Sequence, residues 1–174
     1  MKNYPFSNAR YALTVCRIEP ENNIHVILEA FSREAAFSVV MIGNWNNSSY
    51  GKELKSHYQA NAHIHLLDPV YELEELNAIR QGCFVYLHGH SCGGTNPSLV
   101  EAMYLGLPII AFDVNFNRET TENQAFYFSN AENLRSLTHS LDEKQLRQSG
   151  EIMREIALRR YTWKRISERY AALF

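Results

Sequence analysis

Short apolar runs alternate with segments of helical periodicity along almost the whole chain, and no other feature limits the available folds so strongly. Tyr11–Cys16 is apolar, β-branched and bounded by polar residues, which predicts a buried strand. Pro20 breaks the chain, and Asn22 or Asn23 is placed to cap a helix in which Ile24, Ile27, Leu28 and Phe31 recur on one face. The pattern then repeats. Phe37–Ile42 predicts a strand ending at Gly43, 51–60 a helix, Ile64–Leu67 a strand, Tyr71–Arg80 a helix and Cys83–Leu87 a strand. A glycine-rich loop from Gly89 to Gly94 leads into a helix over Pro97–Leu105, which Gly106 and Pro108 terminate. Strand Ile109–Phe112, a polar loop and strand Ala125–Phe128 follow. The remainder reads as helical, carrying Leu134, Leu137 and Leu141, then Ile152 and Ile156, and lastly Trp163, Ile166 and Tyr170.

Such alternation predicts an α/β fold: a doubly wound, mostly parallel, Rossmann-like sheet covered on both faces and closed by a C-terminal helix. Ligands of these sheets bind beyond the carboxyl ends of the strands, where the strand order reverses. The 174 residues suit one domain, read as a linker remnant over 1–10 and a binding domain over 11–174. With a net charge of -2 and no basic run, nothing favours nucleic acid as a partner. Three cysteines without paired spacing, Cys16, Cys83 and Cys92, argue against a disulfide framework and for a cytoplasmic, reducing setting. No apolar stretch reaches the roughly 18 residues of a membrane span.

Chemistry concentrates between His88 and Met103. Asn96 is a strong N-cap residue and Pro97 has the backbone angle favoured at the first helical position, so the N–H groups of Ser98 and Leu99 should point outward. Gly93 and Gly94, followed by Thr95, lie just before that helix start and leave a ligand room to approach. Together these describe an anion site of the kind that cradles phosphate, with the helix dipole adding roughly half a positive charge. The alternative is a capped helix behind an ordinary turn. Arg17 ends the first strand on the ligand side, where a guanidinium could grip a diphosphate; a surface ion pair with Glu19 or Glu21 is the competing account. His88, His90 and Cys92 alternate as zinc ligands on an extended segment would, and His63 and His65 repeat the spacing. No fourth ligand falls at a recognised distance, so no metal is expected.

Four stretches resemble the C-terminal domain of the GT-B-fold glycosyltransferases of family 4, also called group 1: Val15–Phe31, Gly94–Ala111, Asn117–Glu119 with Ala125–Phe128, and Tyr161–Tyr170. Gly93-Gly-Thr-Asn-Pro-Ser98 and Asn117-Arg-Glu119 are similar to the versions in bacterial surface-polysaccharide enzymes, of the sort that build O-antigen or capsule. The resemblance implies the donor-binding half of a retaining hexosyltransferase, inactive alone. Its substrate would be a nucleoside-diphosphate sugar, UDP-linked, with no cofactor. The acceptor, a glycan or lipid-linked sugar, would belong to an absent N-terminal domain, and the full enzyme would associate peripherally with a membrane.

The same resemblance assigns roles. Arg17 would contact the diphosphate, Glu101 would hold the ribose, the amides of Ser98 and Leu99 would meet phosphate, and Leu67–Tyr71, with Val70 at its centre, would carry the base. The closing helix would cross back to the N-terminal domain, leaving part of its aromatic stripe exposed here. Two positions depart from the family pattern. Its lysine five positions after Arg17 is Asn22, and its glutamate eight before Glu101 is Gly93. His88, His90 or a residue of the absent domain could compensate, and Gly93 widens the space near the sugar. These departures keep two alternatives open: half of a nucleotide-sugar 2-epimerase of the same architecture, and a non-catalytic nucleotide- or carbohydrate-binding module. A dinucleotide dehydrogenase is disfavoured because no G-x-G-x-x-G follows the first strand.

Overall fold

The structure, a computed structural model, describes residues 4–6, 9–33 and 36–172, with backbone alone at Arg169 and Tyr170. Six strands form one sheet in the order β3-β2-β1-β4-β5-β6, every pair parallel. They are β1 (Tyr11–Val15), β2 (Ser38–Ile42), β3 (Ile64–Leu67), β4 (Val85–His88), β5 (Ile109–Phe112) and β6 (Phe126–Phe128). The helices are α1 (Ile24–Ser32), α2 (Ser49–Tyr58), α3 (Leu73–Gly82), α4 (Pro97–Tyr104), α5 (Asn115–Thr120), α6 (Ala131–Ser140), α7 (Glu143–Arg160) and α8 (Trp163–Ala171). The expected doubly wound α/β fold is therefore present.

Side-chain alternation along each strand divides the core between the two faces of the sheet. Leu13, Val40, Tyr86 and Ile109 meet Leu99 and Met103 of α4 and Met153 and Ile156 of α7 on one face. Ala12, Val39, Val85 and Ile110 meet Ile24, Ile27 and Phe31 of α1 and Leu134 of α6 on the other. Phe6, within the segment read as a linker, is buried and stacks edge-on against Tyr11. Residues 1–3, 7 and 8 of that segment lie outside the described residues.

The element boundaries differ from the sequence reading where side chains do unexpected work. Neither Asn22 nor Asn23 caps α1 with its side chain. Asn23 holds the cap position in the left-handed region and donates through Nδ2 to the Gly89 carbonyl at 2.9 Å, while Asn22 is committed elsewhere. The polar loop after β5 contains the short helix α5, anchored by Asn117, which is fully buried. Helix α4 ends as anticipated: Gly106 takes a φ of 70°, and the amides of Gly106 and Leu107 close on the carbonyls of Met103 and Ala102. Among the described residues, no helix is long and apolar enough to cross a membrane.

Candidate functional site

The strand order runs outward from β1 through β2 to β3, then returns to β4 beside β1 and continues to β6. The loops leaving β1 and β4 therefore face each other across the point where the winding reverses, the position at which such sheets bind ligands. They are stitched together. The amide and hydroxyl of Ser91 both donate to the Glu21 carbonyl at 2.8 Å, and Asn23 reaches Gly89 as described. Gly89 packs so tightly that a Cβ there would lie 2.2 Å from the Asn22 carbonyl oxygen.

Arg17 leaves β1 into this junction with an exposed side chain, close enough to His90 for its charge to disfavour protonation of that ring. Among the described residues, neither Glu19 nor Glu21 pairs with it. Asn22 sits behind rather than in front: it is only 3% exposed, and Nδ2 donates to the Arg17 carbonyl at 2.7 Å. Its amide thus shapes the Arg17 loop.

Across the junction, Gly93 adopts a φ of 110°, a conformation suited to glycine. A Cβ built on Gly93 or Gly94 would have no atom within 4 Å, so this loop is open to solvent. Asn96 caps α4 by accepting from the Ser98 amide at 3.1 Å and from the Ser98 hydroxyl at 2.9 Å. The expectation of a free Ser98 N–H is corrected accordingly: the cap occupies it, because the side chain of Asn96 folds back onto the helix it starts. Among the described residues the Leu99 amide has no such partner. Thr95 is exposed, its side chain turned toward the Tyr161 phenol. Replacing Asn96 by Ala should cost about 1 kcal/mol of stability, or about 2–4 °C of melting temperature; a thermal melt of the variant chain checks this.

Glu101 lies one turn further along α4, exposed, with its carboxylate paired to Arg80 of α3. The sequence reading missed Arg80, for nothing local marks a residue whose partner is 21 positions away on another helix. On the β3 side, a cleft of about 300 Å³ opens among Arg17, Gly43, Asn44, Asn47, Val70 and Tyr71. Arg17 and Val70 thus line one cavity. Trp45, which follows Asn44 in the chain, is fully buried, with Nε1 donating to the Leu67 carbonyl at 2.9 Å.

A column of rings rises through the centre of the junction. Tyr86, His88 and His90 alternate on one side of β4 and its extension, and the two imidazoles stack 4.3 Å apart, within 7° of parallel. His88 is 1% exposed, and among the described residues neither of its ring nitrogens has a partner; nor has His90 Nδ1 or the buried Asn117 Oδ1. Asn117 Nδ2 holds the His90 carbonyl and that of Phe112, each at 2.9 Å. Burial, then the neighbouring ring, pushes His88 well below the ordinary imidazole value. Burial, then the field of Arg17, pushes His90 down to about 4, against a pull from Glu21. Both rings are therefore neutral near pH 7. Among the described residues no group of His, Cys, Asp and Glu could hold a metal ion.

The closing aromatic stripe divides. Trp163 is 85% exposed, Tyr161 is half-buried with its phenol donating to the Thr120 carbonyl, and the Tyr170 side chain lies outside the described residues.

The family model described as glycosyl transferases group 1 matches residues 2–148. No curated protein matches the chain by sequence. Among solved structures, it is similar to HepE of Anabaena in complex with UDP, at a TM-score of 0.81 and 16% identity over 95% of this chain and 48% of that one. It is also similar to sucrose-phosphate synthase of Thermosynechococcus elongatus, at 0.81 and 18% over 96% of this chain and 45% of the other. The C-terminal domain of a group 1 family protein, LpcC of Francisella tularensis, matches at 0.71 and 15% over 88% and 86%. The chain thus spans less than half the length of the first two, and at these identities the likeness carries the fold alone.

Proposed function

This chain belongs to the group 1 glycosyl transferases, and we propose that it is the donor-binding half of a retaining enzyme that moves a sugar from a UDP-linked donor. The supporting observation is the convergence, at the point where the winding reverses, of an exposed Arg17, unpaired among the described residues, with the open Gly93–Gly94 loop and the start of α4. In this reading the donor diphosphate lies between Arg17 and the Leu99 amide. The base occupies the cleft along Val70, and Glu101, oriented by Arg80, receives the ribose hydroxyls. Catalytic help comes from fixed positive groups aimed at the departing diphosphate, already in place before charge develops.

HepE has been crystallised with UDP and with UDP-glucose, which favours a uridine donor here. The acceptor side belongs to a companion domain, in keeping with the share of HepE that this chain spans. The acceptor itself is a glycan or lipid-linked sugar of surface-polysaccharide synthesis, a reading supported by the Gly93–Ser98 and Asn117–Glu119 sequences. Calorimetry of the chain with UDP, GDP and dTDP tests the donor site. Binding of UDP in preference to the other two is the anticipated outcome, and absence of heat with all three would refute the reading.

A further inference from the structure

The ring column presents a problem of its own. A buried polar atom without a partner is costly, yet among the described residues His88 leaves two ring nitrogens in that state, His90 one, and Asn117 its oxygen. All four belong to one linked group: His88 stacks on His90, Asn117 holds the His90 carbonyl, and Arg17 stands close to His90. The half-buried His90 stands uppermost, with one face of its ring covered by His88. The local charge is also thin for a diphosphate. The position five residues after Arg17 holds Asn22, whose amide is turned back onto the Arg17 carbonyl, so no second fixed cation stands there.

We propose that His90, seated on the buried His88 ring beside Arg17, contacts the donor diphosphate and takes up a proton from solvent as the nucleotide arrives, so that the ligand itself calls up the second positive charge of its site. This inference rests on the donor-site reading above. In the empty site, the groups facing His90 are Arg17 and His88, which oppose protonation, and Glu21, which favours it. A diphosphate reverses the balance: its negative charge offsets the field of Arg17 and acts directly on the imidazole, favouring the charged form. His88 remains neutral, because burial and a charged ring 4.3 Å above both oppose a second proton. Asn117 keeps the assembly in register through the His90 carbonyl.

The arrangement has a sign that can be measured. A group whose proton affinity rises on binding makes binding stronger as pH falls. The effect spans the window between the value in the complex and the value near 4 in the free chain. Relative to His90→Gln, the affinity of the parent chain for UDP should rise by up to about tenfold per unit fall in pH, the limit set by one linked proton.

The experiment is titration calorimetry with UDP at around pH 6, near the ordinary imidazole value, in two buffers of different ionisation enthalpy. UDP exchanges protons of its own, which comparison of the parent chain with His90→Gln cancels. The parent chain should take up about one proton more than the variant. A nitrogen-15 spectrum of the imidazoles in the unaltered chain gives the same answer without a substitution: His90 should be neutral when free and protonated with UDP bound. Binding of UDP with equal proton uptake in both chains, or with His90 still neutral in the complex, overturns the inference and leaves the donor site standing. No binding of UDP, GDP or dTDP overturns both.

Discussion

Arg17→Ala weakens UDP binding by about 10- to 100-fold while the melting temperature stays where it was. A hydrogen bond to a charged group contributes about 1.5–3 kcal/mol, and each 1.4 kcal/mol is roughly tenfold in affinity. The guanidinium offers such bonds to a diphosphate in a fork that lysine would not reproduce. The fold has little to lose. The side chain is exposed and no acidic neighbour among the described residues depends on it, so deletion strands no buried charge. Calorimetry and a thermal melt on the same protein separate the two effects. Unchanged affinity would place the diphosphate away from the end of β1. A fall in stability instead would show that Arg17 has a structural role.

Gly89→Ala should have the opposite signature, damaging fold and site together. The added methyl would stand 2.2 Å from the Asn22 carbonyl oxygen and 3.1 Å from Ile27 Cδ1, inside contact distance of backbone that has nowhere to retreat. Overpacking of this kind costs about 1–3 kcal/mol, and at about 2–4 °C per kcal/mol the melting temperature falls by several degrees. Relief requires the β1 and β4 loops to part, which breaks the Asn23–Gly89 and Ser91–Glu21 bonds. Arg17 and His90 then separate, and UDP affinity drops by more than about tenfold. Gly94→Ala is the matching control for stability. Open space surrounds that position, and the melt should move by no more than about 0.5 kcal/mol equivalent. A Gly89→Ala chain as stable as its parent and binding UDP normally would mean that the two loops are not held as tightly as they pack.

Much of the fold was readable because it is written locally. The runs that became β1, β2, β4 and β5 are short and apolar, and α4 carries its start and stop signals in Asn96, Pro97 and Gly106. Helix α5 escaped notice because its six residues include a single large apolar side chain, Phe116, too little for any periodicity. Ser48, which caps α2 through the Gly51 amide, was overlooked amid neighbouring asparagines that looked like loop. The site divides along the same line. Gly93, Gly94 and the proline-led helix start declare themselves within one segment, whereas the destinations of Asn22 and Glu101 depend on partners that only the folded chain supplies, the Arg17 carbonyl and the Arg80 guanidinium. His88 was the least legible. Histidine is only intermediate in its tendency to be buried, and only the alternation of Tyr86, His88 and His90 along one strand hinted that all three share a side.

Placing β1 at the middle of the sheet also sets a timetable for synthesis. During synthesis β1 has β2 for company early, but its other flank stays open until some seventy further residues have emerged and β4 docks. Pairings so distant in sequence form slowly, because a long stretch of chain must be confined before they repay it. The junction between the β1 and β4 loops is therefore completed late, and a nascent chain halted before Val85 would present an unguarded apolar edge to whatever is nearby.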